Sequence, residues 1–162
     1  MGIEKIISGA ETGVGHGAME FALGQGIPGE GYCVKGRKCE DGRIPARYLM
    51  IETDQTDYSY CIRKNVQISD GIMVLVRGGN QDEDTRYTID CCRKLEKPLV
   101  IIDLAADIEQ THERILEWLD FHQINVLNIA GNKESQDSGI CEATIEFLEK
   151  LFEVKKPIHK WT

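Results

Sequence analysis

Long apolar runs are missing from this 162-residue chain. The longest, Ile72–Val76, falls far short of the roughly 20 residues that a membrane-spanning helix needs. No secretory leader is expected either, because Glu4 and Lys5 interrupt any apolar stretch near the start. Gly2 invites a myristoylation reading, but Ile6 stands where that motif needs Ser or Thr. Positive charge is in deficit: 19 Lys and Arg face 27 Asp and Glu, for a net charge of −8. The summed field repels polyanions, which excludes general binding to nucleic acid or an anionic membrane. Proline is scarce, with four in all, whereas 16 glycines favour loops made of tight backbone turns. Six cysteines are present, yet they form no C-x-x-C pair and no zinc spacing with the four histidines. Reduced structural thiols are therefore expected, with Cys33 and Cys39 closest to any ligand because they flank a Gly- and Lys-rich loop. The length fits one cytoplasmic domain spanning residues 1–162.

Short apolar runs alternate with helical periods, which is the pattern of α/β layering. Lys5–Ser8 reads as a first strand leading into a helix with Val14, Ala18, Phe21 and Ala22 on one side. Gly31–Val34 and Tyr48–Glu52 read as the second and third strands, separated by an irregular loop at 35–47. A helix over about 56–68 precedes Asp70–Val76, whose continuous apolar run suits a central parallel strand. Further on, a helix carries Tyr87, Cys91 and Leu95, a buried strand spans Leu99–Leu104, and an acidic amphipathic helix spans Ile108–Phe121. Asn125–Ala130 is the last strand and Ile140–Phe152 the last helix. The expected fold is Rossmann-like: a doubly wound, mainly parallel sheet with helices on both faces.

Ligands of such sheets bind outside the carboxyl ends of the strands. The loops expected there are 8–15, 35–47, 77–85, 103–105 and 131–138, and several carry bare Gly, Ser or Thr amides suited to an anion. Residues 30–50 carry a net +2 while the rest of the chain carries −10. A basic loop on an acidic protein points to a small anionic ligand. Gly13-Val14-Gly15-His16-Gly17-Ala18 matches G-x-G-x-x-A, but it starts late after its strand and lacks a clear ribose-holding acid. A Gly-rich helix start packed on the sheet explains the same residues. No Gly-Lys-Ser or Gly-Lys-Thr phosphate loop and no G-x-S-x-G elbow occurs. His16 is either a general acid–base or a plain loop histidine, and His112, His122 and His159 carry no assigned role. Asn65 and Asp70 border a buried strand, so internal hydrogen bonding is expected of them whether or not they meet ligand.

Several segments resemble one known family. Ile7-Ser8-Gly9-Ala10-Glu11-Thr12-Gly13-Val14 is similar to its opening Ile-Ser-Gly-Gly-Gln-Thr-Gly-Val. The run from Lys35 through Glu40-Asp41-Gly42 to Pro45-Ala46-Arg47-Tyr48 resembles its second block. Asn65-Val66, Ser69-Asp70-Gly71, Lys97-Pro98, Leu127–Gly131, Glu134-Ser135 and Gly139-Ile140 also fit. On these residues the chain resembles the "putative molybdenum carrier" family, the circularly permuted YpsA-like branch of the Rossmann-like SLOG superfamily, over about residues 5–152. The resemblance implies carriage of molybdenum or molybdenum cofactor, or a nucleotide-related ligand. It also leaves open a nucleotide-processing enzyme that cleaves an N-glycosidic bond through Glu11 or Glu134, or a degenerate member acting through protein contacts around Glu113 and Glu117. Ala10-Glu11, Gly15-His16 and Glu83-Asp84 depart from the family's Gly-Gln, Asp-Arg and Gly-Gly.

The expected ligand residues follow the loops. Ser8, Gly9, Thr12 and Gly13 leave the first strand; Lys35, Gly36 and Arg37 belong to the basic loop; Asn65 and Asp70 flank the central strand. Arg77, Gly78 and Thr85 follow that strand, and Gly131, Glu134 and Ser135 follow the last one. Lys35 and Arg37 are expected to face a cleft between Ser8–Gly13 and Gly131–Ser135, while Glu83 and Asp84 either oppose a phosphate or cap a helix. A small anionic ligand and further copies of the chain are the expected partners.

Overall fold

The computed structural model describes residues 2–107 and 109–153. The expectations on Ile108 and His159 lie outside them. In chain order the elements are β1 (Lys5–Ile7), α1 (Val14–Gln25), β2 (Gly29–Glu30), β3 (Tyr32–Cys33), β4 (Lys38–Cys39) and β5 (Gly42–Arg43). Next come β6 (Ile51–Glu52), α2 (Tyr58–Gln67), β7 (Gly71–Val76) and α3 (Glu83–Lys94). The chain continues with β8 (Leu99–Asp103), α4 (Glu109–Phe121), β9 (Val126–Gly131) and α5 (Ile140–Leu151). A single helical turn at Lys35–Arg37 lies between β3 and β4.

Five strands make a parallel sheet in the order β2-β1-β9-β7-β8. The fold is α/β and Rossmann-like. Every residue of β7 is buried, as its unbroken apolar run requires of a strand covered on both faces. Its alternation sorts the core. Met73 and Leu75 join α1, α4 and α5 on one face through Val14, Phe21, Ile115, Phe147 and Leu148. Ile72, Val74 and Val76 join α2 and α3 on the other through Val66, Ile89 and Cys92. α1 packs closely on α5 because Gly17 lets the backbone of Cys141 and the side chain of Thr144 approach. That use of the glycine-rich segment is the packing alternative to a dinucleotide fingerprint.

Three expected strands differ. The strand expected at Gly31–Val34 shrinks to Tyr32–Cys33 and turns away to pair with β6, while Gly29–Glu30, just before it, is the strand that pairs with β1. The strand expected at 48–52 shrinks to Ile51–Glu52 and lies outside the main sheet, because Tyr48 turns inward beside Ala10, Met19, Cys33 and Ile44. β8 is an edge strand, with Ile101 40% exposed, because no strand pairs beyond it. All six cysteines are free thiols. No helix among the described residues is long and apolar enough to cross a membrane.

The topology also positions a crevice. β1 connects through α1 toward β2, β7 connects through α3 toward β8, and β9 lies between them. Their carboxyl ends are therefore the switch point at which loops diverge and leave room for a ligand.

Candidate functional site

At that switch point an open cleft of about 770 Å³, solvent at its mouth included, lies among the ends of β1 and β9, helix α2 and the start of α3. Tyr32, Val34, Ile44, Tyr58 and Ile62 give it an apolar and aromatic wall. Glu11, Asp84, Thr85, Thr88, Asn128 and Lys133 also line it, with Gly9, Gly15 and Gly131. Lys38 adds a second ammonium at the rim. A flat apolar wall facing a few convergent polar groups is the usual anatomy of a site for a heterocycle that carries an anionic substituent.

The loop after β9 is fixed by mutual hydrogen bonds. Gly13 takes φ 77°, and a Cβ there would collide with the Asn132 carbonyl and the Glu134 amide, so only glycine lets the β1 and β9 loops meet. Gly131 is equally constrained against the Leu75 carbonyl and Val14. Asn132, fully buried, sutures this loop to the one after β7. Its Oδ1 accepts from the Asp82 amide at 2.9 Å and the Thr85 hydroxyl at 3.0 Å, and its Nδ2 donates to the Asn80 carbonyl at 2.7 Å. Asp82 is the cap of α3: Oδ1 accepts from the Thr85 amide at 2.8 Å and Oδ2 from the Lys133 amide at 2.9 Å. The helix is therefore capped by Asp82 rather than by Glu83 or Asp84. Asp84 instead lines the cleft and pairs with Lys133 at 3.2 Å, while Glu83 is exposed. Burial favours a neutral amine at Lys133, but the Asp84 contact outweighs it and holds the ammonium above its ordinary pKa.

Two carboxylates stand out. Glu11 lines the cleft, and Oε1 accepts from the amides of Thr12 at 2.9 Å and Glu40 at 3.1 Å. Burial nevertheless pushes its carboxyl above the ordinary value. Glu40, on the β4–β5 turn, reaches across to the loops after β1 and β9. Thr12 donates its hydroxyl to Oε1, the Ser135 amide donates to Oε1 at 3.2 Å, and the Ser135 hydroxyl donates to Oε2 at 2.5 Å. Partial burial opposes ionisation there, but the Ser135 and Thr12 hydrogen bonds and nearby Lys133 hold Glu40 below the usual carboxylate range.

The fifteen expected residues divide accordingly. Gly9, Asn65, Thr85 and Gly131 line the cleft, and Thr12, Gly13, Glu134 and Ser135 shape the loops beside it. Ser8 is buried and holds the turn itself, donating to the Gly15 carbonyl and accepting from the Ala10 amide. Both Glu134 oxygens are engaged, by the Gly139 amide at 2.5 Å and the Cys141 amide at 3.1 Å. Asn65 clamps the Tyr32 backbone through both ends of its amide. Asp70 lies at the other end of the sheet, where Oδ2 accepts from the Asn125 and Val126 amides. Arg77 pairs with Asp137 at 2.5 Å, and the Gly78 amide donates to Asp103. Gly36 donates its amide to Glu52.

Lys35 and Arg37 are not the cations of the cleft. Lys35 is exposed, and Arg37 folds inward to donate to the carbonyls of Ile44, Pro45 and Tyr48 at 3.3, 2.7 and 2.9 Å. Of the two flanking thiols, Cys33 lines the cleft, whereas Cys39 donates to Asp41. His16 stacks edge-on against Tyr48 with ring centroids 5.3 Å apart. Sequence reasoning missed Lys38, Lys133, Asn132 and the aromatic pair Tyr32 and Tyr58, although Lys133 stands one residue before the chosen Glu134.

Comparison with known proteins identifies the family and the fold. The model of the circularly permutated YpsA SLOG family matches residues 6–152. The chain belongs to that family. Its fold is shared with the crystal structure of a protein from Syntrophus aciditrophicus named "putative molybdenum carrier protein", at 38% identity and a TM-score of 0.89. The match covers 93% of this chain and 95% of that one. No curated protein matches.

Proposed function

We propose that this SLOG protein binds a small heterocyclic ligand with an anionic substituent, of the molybdenum-cofactor or nucleotide type, and holds it without chemical change. The observation that carries the reading is the cleft at the switch point, which Tyr32 and Tyr58 line together with Lys133, Thr85 and glycines of the β1 and β9 loops. The ring stacks or lies against the apolar wall, and the anion turns toward the ammonium groups and loop donors. Among the described residues no group of three or more His, Cys, Asp or Glu is arranged to hold a bare metal ion. Molybdenum carried here would therefore travel as an oxyanion or bound to an organic cofactor. The Syntrophus relative's name supports that cargo, and family membership supports the nucleotide class.

Mass spectrometry and metal analysis of ligand co-purifying with the native protein test the reading. A pterin, a nucleotide or stoichiometric molybdenum supports it. Absence of each, together with no calorimetric binding of AMP or molybdate, overturns it. Glu11 favours a second reading, hydrolysis of an N-glycosidic bond, since a carboxyl raised by burial inside a cleft is suited to proton donation. Release of free base from AMP by the unaltered chain, lost in Glu11→Gln, would favour that reading over simple carriage.

A further inference from the structure

Thr12 and Ser135 come from the loops after β1 and β9, two neighbouring strands at the switch point. Between them they present two hydroxyls and one amide that converge on a single carboxylate. That carboxylate is supplied by Glu40, which is distant in sequence and exposed to solvent. Convergent hydroxyl and amide donors on loops at strand ends form an oxyanion cradle. We propose that the Thr12–Ser135 cradle is an oxyanion subsite beside the cleft, next to its lining residues Glu11 and Lys133, occupied by Glu40 until a ligand's phosphate or similar group displaces it. The inference rests on the anion-binding reading above and adds where the anion sits and what it must displace.

Three observations support displacement rather than a permanent latch. Glu40 lies on the turn of a hairpin whose strands are two residues each and pair only with one another. Its exposure means that swinging outward uncovers little apolar surface, so the hydrogen bonds exchange with water and with ligand. The base of the hairpin is meanwhile anchored independently, by the Arg37 guanidinium on the Ile44, Pro45 and Tyr48 carbonyls. The turn can move while its root stays fixed. Two further contacts, the Glu40 amide on Glu11 and the Tyr58 hydroxyl on the Lys38 carbonyl, tie the turn to groups that line the cleft. Ligand entry and hairpin opening are thereby linked.

The chemistry also fixes the direction of the effect. A bound carboxylate competes with an incoming anion for the same donors and repels it besides, so deleting the carboxylate must strengthen anion binding. Calorimetric titration with inorganic phosphate and with AMP, on the unaltered chain, Glu40→Ala and Glu40→Gln, tests this. Glu40→Ala is expected to bind both probes roughly tenfold more tightly, with a smaller gain in Glu40→Gln, whose amide still occupies the cradle without the charge. Adding Ser135→Ala to Glu40→Ala is expected to abolish the gain. Circular dichroism and melting establish that each variant is folded, and Glu40→Gln carries the test should Glu40→Ala fail to fold. Unchanged or weaker binding of both probes by folded Glu40 variants overturns the proposal. If the unaltered chain still binds AMP in that case, the anion-binding reading survives and only the displacement is lost. If no chain binds either probe, both fall.

Discussion

The basic loop at residues 35–47 and the loop that follows β9 use their cations differently: of the five in the first only Lys38 lines the cleft, whereas the single one in the second does. In the first, Arg37 adopts a φ of 56° next to Gly36 at 81°, and the chain curls until three backbone carbonyls face the guanidinium. Arg47 turns aside to Glu20. In the second, the backbone is pinned by Asp82 and Asn132, and the one cation, Lys133, is left pointing into the cleft. Local charge density therefore does not locate an anion site. What decides is whether the loop's own carbonyls have already claimed the donors, since a buried carbonyl without a partner costs more than an exposed cation gains.

The largest expected effect comes from breaking the approach that shapes the second loop. Gly13→Ala places a Cβ against the Asn132 carbonyl and the Glu134 amide at a positive φ. The β1 and β9 loops must part, at a cost of about 3 kcal/mol or more. Urea denaturation measures it, and a loss below about 1 kcal/mol would show that the two loops are not held by that contact.

Arg37→Ala comes next. It strips a charged donor from three carbonyls, of which Pro45's keeps the Tyr48 amide, and should cost about 2 kcal/mol of stability, the value of charge-assisted bonds lost from one side. Binding of AMP should hardly change. A variant that keeps its melting temperature yet loses AMP affinity would return Arg37 to the cleft.

Lys133→Ala sharpens the same contrast from the other side. Its ion pair with Asp84 is partly exposed, with side chains 27% and 38% accessible, so stability should fall by less than about 1 kcal/mol. Affinity for AMP should drop roughly tenfold, about 1.4 kcal/mol. The reverse pattern, a large stability loss with unaltered affinity, would make Lys133 a structural residue like Arg37.

These contrasts show what was legible in the sequence. β7 announced itself because both its faces are buried, and an unbroken apolar run has few other uses. The Gly-rich loops at 8–13 and 131–135 were legible as loops at the carboxyl ends of the strands, where the cleft lies, because alternating elements imply a parallel sheet. Side-chain direction was not legible. Nothing in the local run of Lys35-Gly36-Arg37 says that the turn closes on itself; that depends on Ile44, Pro45 and Tyr48 returning beneath it. What Glu40 meets was hidden for the same reason. Its partners Thr12 and Ser135 are brought to it only by the tertiary fold. The strand expected at 48–52 failed because Tyr48 and Met50 pack beneath the loop beside Met19 rather than on the sheet, while Leu49 and Ile51 are exposed.

The smallest expected effect tests whether the basic loop's remaining anchor is also internal. The Tyr48 hydroxyl donates to Glu20 Oε2 at 2.6 Å, and Arg47 lies 3.1 Å from the same oxygen, which ties the loop to α1. The Tyr48 hydrogen bond, helped by Arg47, outweighs partial burial and holds the Glu20 carboxyl below its ordinary value of 4.5. A carboxyl depressed in the folded state stabilises the protein at pH above the unfolded value, and that contribution disappears as pH falls through the depressed value. Glu20→Gln should accordingly lower stability near neutrality, and the deficit should close below about pH 4.5, where the native carboxylate is itself being protonated. The size is a few tenths of a kcal/mol, because the Glu20 and Arg47 side chains are 34% and 54% accessible and water screens the pair. Urea midpoints of the two chains from about pH 7 down to about pH 3 measure it. A deficit that persists undiminished in acid would mean that the Tyr48 contact matters through shape rather than charge, and that the loop's cations are less engaged than Arg37 suggests.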